Sequence, residues 1–172
     1  MNGGGRLAKC KIEGISEYTA QLNRLEADSL PIIRKCIYDG AAIMADAIKG
    51  AIDQIPTRSN KEFGSADNML SGITAQQKAG LQDSFGISKM SDRNNQQSVK
   101  LGFDGYNSVK TKKYPSGQPN PLIARAIESG TSFLQPCHFM SKAINANKSA
   151  VEEKMAKTCD AEIAKRTGGN SL

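Results

Sequence analysis

The chain reads as an α+β domain, a small antiparallel sheet covered by a long helix in the N-terminal half and by a C-terminal helix. Three observations predict this. Apolar residues recur at steps of three and four from Pro31 to Ile55, alternate at steps of two from Leu81 to Phe103, and return to helical spacing from Met140 to Ile163. A chain of 172 residues is the length of one ordinary domain and can bury roughly 70% of its unfolded surface. Residues 11–165 are expected to form that domain. Residues 1–10, which contain Gly3, Gly4 and Gly5, and residues 166–172 are expected to be flexible ends.

The first element, "KIEGISEYTAQLNRLEADSL", reads as a short strand or turn entering a helix. Ser16 is its candidate N-cap, and Ile15, Leu22 and Leu25 share a face. A second, longer helix follows, with Ile33, Cys36, Ile37, Met44, Ala47, Ile48, Ala51, Ile52 and Ile55 along one stripe. Ser29 can cap it, Pro31 suits its first turn and Pro56 stops it. Gly40 and Gly50 weaken its intrinsic helicity, so packing must hold it. Residues 57–80 are polar and weakly patterned, a long loop with one helical turn expected near Ala66 to Leu70.

Strand signals come next. Leu81, Asp83, Phe85, Ile87 and Lys89 alternate against Gln82, Ser84, Gly86 and Ser88; Val99, Leu101 and Phe103 alternate against Lys100, Gly102 and Asp104. The polar stretch "SDRNNQQ" between them predicts an antiparallel hairpin with a tight connection. One apolar face per strand means a sheet covered on one side, with the long helix as its cover. Residues 107–121 form a long loop rich in Lys and Pro. A short helix is expected from Pro121 to Gly130, and Pro136 reopens a helix to about Lys165 with Met140, Ile144, Val151, Met155, Cys159 and Ile163 on one stripe.

Composition narrows the chemistry. Hydrophobic residues make up 38% of the chain, with five Phe, four Tyr and no Trp, which suggests a modest aliphatic core. No apolar run reaches the roughly 20 residues of a membrane helix, so no membrane association is expected. The opening "MNGGGRLAKC" lacks the apolar stretch of a secretory signal. A cytosol-like compartment is therefore expected, with reduced, structural cysteines at 10, 36, 137 and 159. None of these forms a Cys-x-x-Cys pair.

The pair Cys137-His138 invites a catalytic reading, but side chains adjacent in sequence point apart and make poor dyads. Glu152 and Glu153 diverge on a helix for the same reason. There is no phosphate-binding glycine loop and no clustered metal-ligand set. The expectation is a protein with no catalytic residues, no metal and no cofactor.

The net charge of +6 is uneven: residues 87–125 carry seven basic residues against Asp92 and Asp104. A solvated loop is the plainer reading. The cluster Lys110, Lys112, Lys113 and Tyr114 is nevertheless a candidate loop for contact with DNA or a partner, since lysines meet phosphates and a tyrosine can stack a base. An alternative function follows from it, a DNA-binding accessory protein using segment 89–113.

The order of segments carries a resemblance. "KIEGISEYTAQLNRL", "IYDGAAIMADAIKGAI" ending at Pro56, "AGLQDSF", "VKLGFDG" and "IESGTSFLQPCHFMSKAI" together resemble the tail-component proteins of long-tailed bacteriophages, the tail-completion or neck family. The match spans about residues 11–165. It rests on the order and spacing of short motifs, with His138 where the family usually has Pro before the Phe. The resemblance implies a structural virion protein of the neck that completes or terminates the tail tube and joins it to the head. It implies a homo-oligomeric ring, hexameric by expectation, assembled in the host cytoplasm. Its neighbours would be the tail tube protein and head-completion or connector proteins, with weak contact to genomic DNA in the channel. The resemblance also points to Glu128, Gly130 and Thr131 as a tight corner, and to Pro136 and Phe139 as the junction into the last helix.

Overall fold

The computed structural model describes residues 15–167 apart from 60, 94 and 95. The strand or turn expected at residues 11–14, and the flexible end expected at 1–10, lie outside the described residues, as do 168–172.

Helix α1 runs unbroken from Ile15 to Asp53, with Pro31 inside it. The two helices expected on either side of Ser29 are therefore one. Ser16 falls at the second residue of α1 and Ser29 in its interior, so Ser29 starts no helix. At 1.5 Å per residue the helix is about 58 Å long. An interior proline gives up one backbone donor and crowds the carbonyl four residues back, at a cost of about 3 kcal/mol. Packing overrides that local penalty. Pro31 itself faces solvent, Ile32 and Cys36 are buried immediately after it, and Asp28, just before it, is bonded to the last helix.

After Pro56 come two short parallel strands, β1 (Thr57–Arg58) and β2 (Ile73–Thr74). Between them the chain bends without helix, so the turn expected near Ala66 to Leu70 is absent. Helix α2 spans Ala75–Ser84. It replaces the first half of the strand expected from Leu81. A capping box starts it: the Thr74 hydroxyl accepts from the Gln77 N–H, and the Gln77 side chain accepts from the Thr74 N–H.

The hairpin predicted from the alternation forms downstream of α2. Strands β3 (Phe85–Ile87) and β6 (Leu101–Phe103) pair antiparallel with Phe85 opposite Phe103 and Ile87 opposite Leu101. The stretch expected as a tight connection is itself a second antiparallel ladder, β4 (Ser91–Arg93) with β5 (Gln96–Ser98). It reaches back to α1, where Arg34 donates to Gln97 and lies 3.9 Å from Asp92.

Helix α3 (Asn120–Ser129) ends at Gly130 as expected. Helix α4 runs from Phe139 to Arg166, beginning three residues after Pro136 and reaching one residue past the expected end. The core gathers Ile48 and Ile52 of α1, Ile55 just after it, and Leu81, Phe85, Ile123, Ile127, Leu134 and Phe139. Burying each such side chain contributes about 1.5–3 kcal/mol. Ile33 of the expected α1 stripe is exposed and Ile32 is buried in its place; on α4, Ile144 and Ile163 face outward while Thr158 and Glu162 are buried.

Candidate functional site

The corner from Glu128 to Phe139 joins α3 to α4, and every expected corner residue meets there. Gly130 adopts φ 75°, and a Cβ at that position would lie 2.9 Å from the Leu134 carbonyl oxygen. Both facts select glycine. Thr131 closes the turn: its N–H donates to the Leu134 carbonyl at 2.9 Å, and the Leu134 N–H returns a bond to Thr131. The chain then runs extended through Pro136, and the Cys137 N–H donates to the Ile127 carbonyl at 2.8 Å.

Glu128 caps the following helix from outside it. Its carboxylate accepts from the Met140 N–H at 2.9 Å, from the Ser141 N–H at 3.1 Å, and from the Ser141 hydroxyl. The two amides are orphan donors of the first turn of α4, where a negative charge also meets the positive end of the helix dipole. Burial pushes the Glu128 pKa up, but the bonds from the Ser141 hydroxyl and from the Met140 and Ser141 amides outweigh it and hold the carboxyl below its ordinary value. Phe139 follows at once, 3% exposed, edge-on to Phe103 with ring centroids 6.3 Å apart; Phe103 in turn packs on Phe85 at 5.0 Å.

The His138 side chain makes no capping hydrogen bond, yet its backbone is distinctive. Among the described residues it is the one non-glycine with positive φ, at 53° with ψ 36°. Proline is locked near −65°, so a proline cannot occupy this position as the turn is built here. Cys137 is half-buried, and its carbonyl accepts from the Lys142 ammonium at 2.9 Å.

The basic loop is folded. The Asn107 N–H donates to the Gln118 carbonyl at 2.7 Å, the Gln118 N–H to Val109, and Thr111 and Tyr114 exchange backbone bonds. Gln77 of α2 donates to the Gln118 side chain at 2.8 Å. Lys110, Lys112 and Lys113 stay exposed, while the Lys113 ammonium sits 5.4 Å over the Tyr114 ring. The ring face expected to stack a base thus already holds a cation.

Sequence reasoning missed a third locus, the tie between α1 and α4. Cys36 and Cys159 form a disulfide across 123 residues, Cα atoms 5.8 Å apart, which corrects the expectation of reduced thiols at these positions. The reason is register: the two antiparallel helices bring their sulfur-bearing positions face to face. One turn away, the 7%-exposed Glu162 accepts from Lys35 at 2.6 Å, Arg166 at 2.7 Å and Lys165 at 3.0 Å, while Arg166 also donates to Asp28 at 2.9 Å. Bonds from Lys35, Arg166 and Lys165 hold the Glu162 carboxyl well below the usual range. Thr158 donates to Asp39 at 2.9 Å nearby. Three or four basic residues spaced around one Glu were the available signal, but a charge run on a helix reads first as a solvated face.

Among the described residues no group of three or more His, Cys, Asp or Glu side chains is placed to hold a metal ion, and no helix is long and apolar enough to cross a membrane. Scanned against known protein families, curated proteins and solved structures, the chain finds no match.

Proposed function

We propose that the chain is a structural protein of the phage neck, completing or terminating the tail tube and joining it to the head as a homo-oligomeric ring. The observation that carries this reading is the ordered run of segments resembling the tail-completion family, together with the way its last motif works. Glu128, Gly130 and Thr131 share one corner, and that corner delivers Phe139 to the core and caps α4. A second feature supports assembly. Among the described residues, strands β3 and β6 pair only with each other, which leaves each with an edge that no described strand pairs. Such an edge can accept a strand from a neighbour, and a head-to-tail contact closes into a ring when its rotation divides a full turn. In this role the protein makes and breaks no bonds. Its neighbours are copies of itself, the tail tube and the connector, with Lys110, Lys112 and Lys113 giving at most a light contact to passing DNA.

Electron microscopy and mass photometry of the purified chain, alone and mixed with tail tubes, test this. Closed rings, alone or at tube ends, are the expected result. A chain that stays monomeric and ignores tube ends would overturn it. Tight binding of duplex DNA by the monomer, falling steeply with salt, would favour instead the accessory DNA-binding reading on residues 89–113.

A further inference from the structure

The outer face of the β3–β6 ladder is bare at its centre. Gly86 and Gly102 stand opposite each other in the register. Side chains alternate across a strand, so Phe85, Ile87, Leu101 and Phe103 turn toward the core while the two glycines turn away from it. Glycine weakens a strand, and two at one rung call for a cause. Neither has a positive φ, and a Cβ added to either would meet nothing within 4 Å. The fold of a single chain therefore requires neither of them. What the pair leaves is a hollow of about 260 Å³, floored by Gly86 and Gly102, edged by Ile87 and Phe103, with Lys100 and Asp104 on its rim. Roughly 150 Å³ is enough to hold a benzene ring.

A side chain of matching kind stands elsewhere on the chain. Phe63 is 88% exposed, more than any other large apolar residue among those described. Single exposed apolar residues are ordinary, but this one is held out by a braced turn. Arg58 donates through Nε to the Gly72 carbonyl at 3.3 Å, and through Nη1 to the Ser59 and Glu62 carbonyls at 3.3 and 3.2 Å. The Glu62 carboxylate accepts from the Ser59 N–H at 3.3 Å. Gly64, directly after Phe63, lies too close to the Phe133 carbonyl oxygen to carry a Cβ. Phe63 does not line the hollow of its own chain. Lys61 and Glu62 come immediately before it. Among the described residues, neither these two nor Lys100 and Asp104 are ion-paired.

We infer that Phe63 of one copy seats on the Gly86–Gly102 floor of a second copy of this chain. Size and charge both match within the one sequence. The hollow exceeds what a phenyl ring needs, and Lys61 and Glu62 beside the ring meet Asp104 and Lys100 on the rim. An aromatic anchor in a pocket ringed by polar groups is the form that strong interface contacts take. Because knob and hollow are different patches of the surface, the contact is head-to-tail and can propagate from copy to copy. It gives the proposed ring its subunit joint, and only closure of that joint into a ring rests on the neck reading.

Each half can be removed with little cost to the fold, since an 88%-exposed ring has few contacts to lose and Gly86 has room for a side chain that strands favour. The isotope-labelled Phe63→Ala chain, which keeps the hollow, is titrated with the unlabelled Gly86→Val chain, which keeps the knob, and followed by NMR. Saturable shifts are expected at the Gly86 and Gly102 amides of the labelled chain, in a complex of two chains that grows no further. Adding Phe63→Ala to the unlabelled chain should weaken binding about tenfold or more. Gly102→Val takes the place of Gly86→Val should the latter not fold. Asp104→Lys on the labelled chain should also weaken the pair, and Lys61→Glu on the unlabelled chain should restore it. No saturation, unchanged binding by the unlabelled double variant, or no rescue by the charge swap would overturn the contact. Mass photometry separates this outcome from that of the ring. Rings assembling equally well from the Phe63→Ala chain would overturn the contact and keep the ring, whereas saturable pairing with no rings from the parent chain would support the contact and remove the ring.

Discussion

The two ends of the α1–α4 pair are built from different chemistry. Toward the body, from Ala45 on α1 and up to Ala143 on α4, the helices share one aliphatic and aromatic core in which Ile48, Ile52 and Ile55 are 0–1% exposed. Toward the far end the buried set thins to Ile32 and Cys36 on α1, and to Thr158 and Glu162 on α4. There the joint is a disulfide, a buried carboxylate ringed by three cations, and a Thr–Asp hydrogen bond. Apolar burial is non-directional and tolerates small shifts, whereas directed bonds fix which turn of one helix meets which turn of the other. Gly40 serves the same end. A Cβ there would lie 2.5 Å from Met155 Cγ, so the bare backbone lets α4 approach closely beside the disulfide.

If that contrast is right, damage to each end should stay distinguishable. Phe139→Ala should cost the most, about 3–5 kcal/mol, and should lower the cooperative melting transition of the whole chain. An unchanged transition would show that the body does not depend on this ring. Replacing Cys36 and Cys159 together by Ser should cost about 2–4 kcal/mol. Hydrogen exchange should place the loss in residues 25–40 and 150–166, with the core helices still protected. Uniform deprotection would erase the distinction between the two ends. Glu128→Ala removes the cap of α4 and should cost about 0.5–2 kcal/mol, measured by urea unfolding, with Glu128→Gln costing less.

Acid sharpens the same comparison. Glu162 binds its proton more weakly folded than unfolded, so its contribution is complete at neutral pH and persists down to about pH 4.5, the ordinary glutamate value. It is lost progressively as pH falls below that, toward the folded value. Melting temperature against pH should therefore fall less steeply in acid for Glu162→Gln than for the parent chain. Parallel curves would show that the charge cluster does not stabilise the far end. The smallest effect is expected at the junction. His138→Gly relieves a left-handed strain of about 1–2 kcal/mol but loosens the unfolded chain by up to about 1 kcal/mol, a net gain of about 1 kcal/mol or less, readable by urea unfolding.

The α+β class, α3, α4 and the β3–β6 pairing were all legible in the sequence, because proline and glycine punctuate those elements and their apolar periods are unambiguous. The corner residues were legible too, though the cap that Glu128 supplies to a different helix was not. The rest was hidden for physical reasons. Leu81 and Phe85 are four apart, so they satisfy a helix as well as an alternating strand, and the Thr74 to Gln77 capping box was the signal that would have decided it. Pro31 is a true local breaker that packing overrides. The Cys36–Cys159 pairing depends on the register of two helices more than a hundred residues apart, which no local pattern encodes. The hollow on the β3–β6 ladder is invisible for the same reason, since Gly86 and Gly102 come opposite each other only once the hairpin has folded.

The far tie has a geometric corollary. From Cys36 to the core residue Ile52 the chain takes 16 helical steps, and from the core residue Ala143 to Cys159 it also takes 16. At 1.5 Å each, both struts measure about 24 Å. Matched lengths clamped at both ends make a rigid spacer, whose reach is written in residue count. An insertion of one turn in either strut alone would have to be absorbed by bowing or by breaking the clamp, whereas equal insertions in both would simply lengthen it.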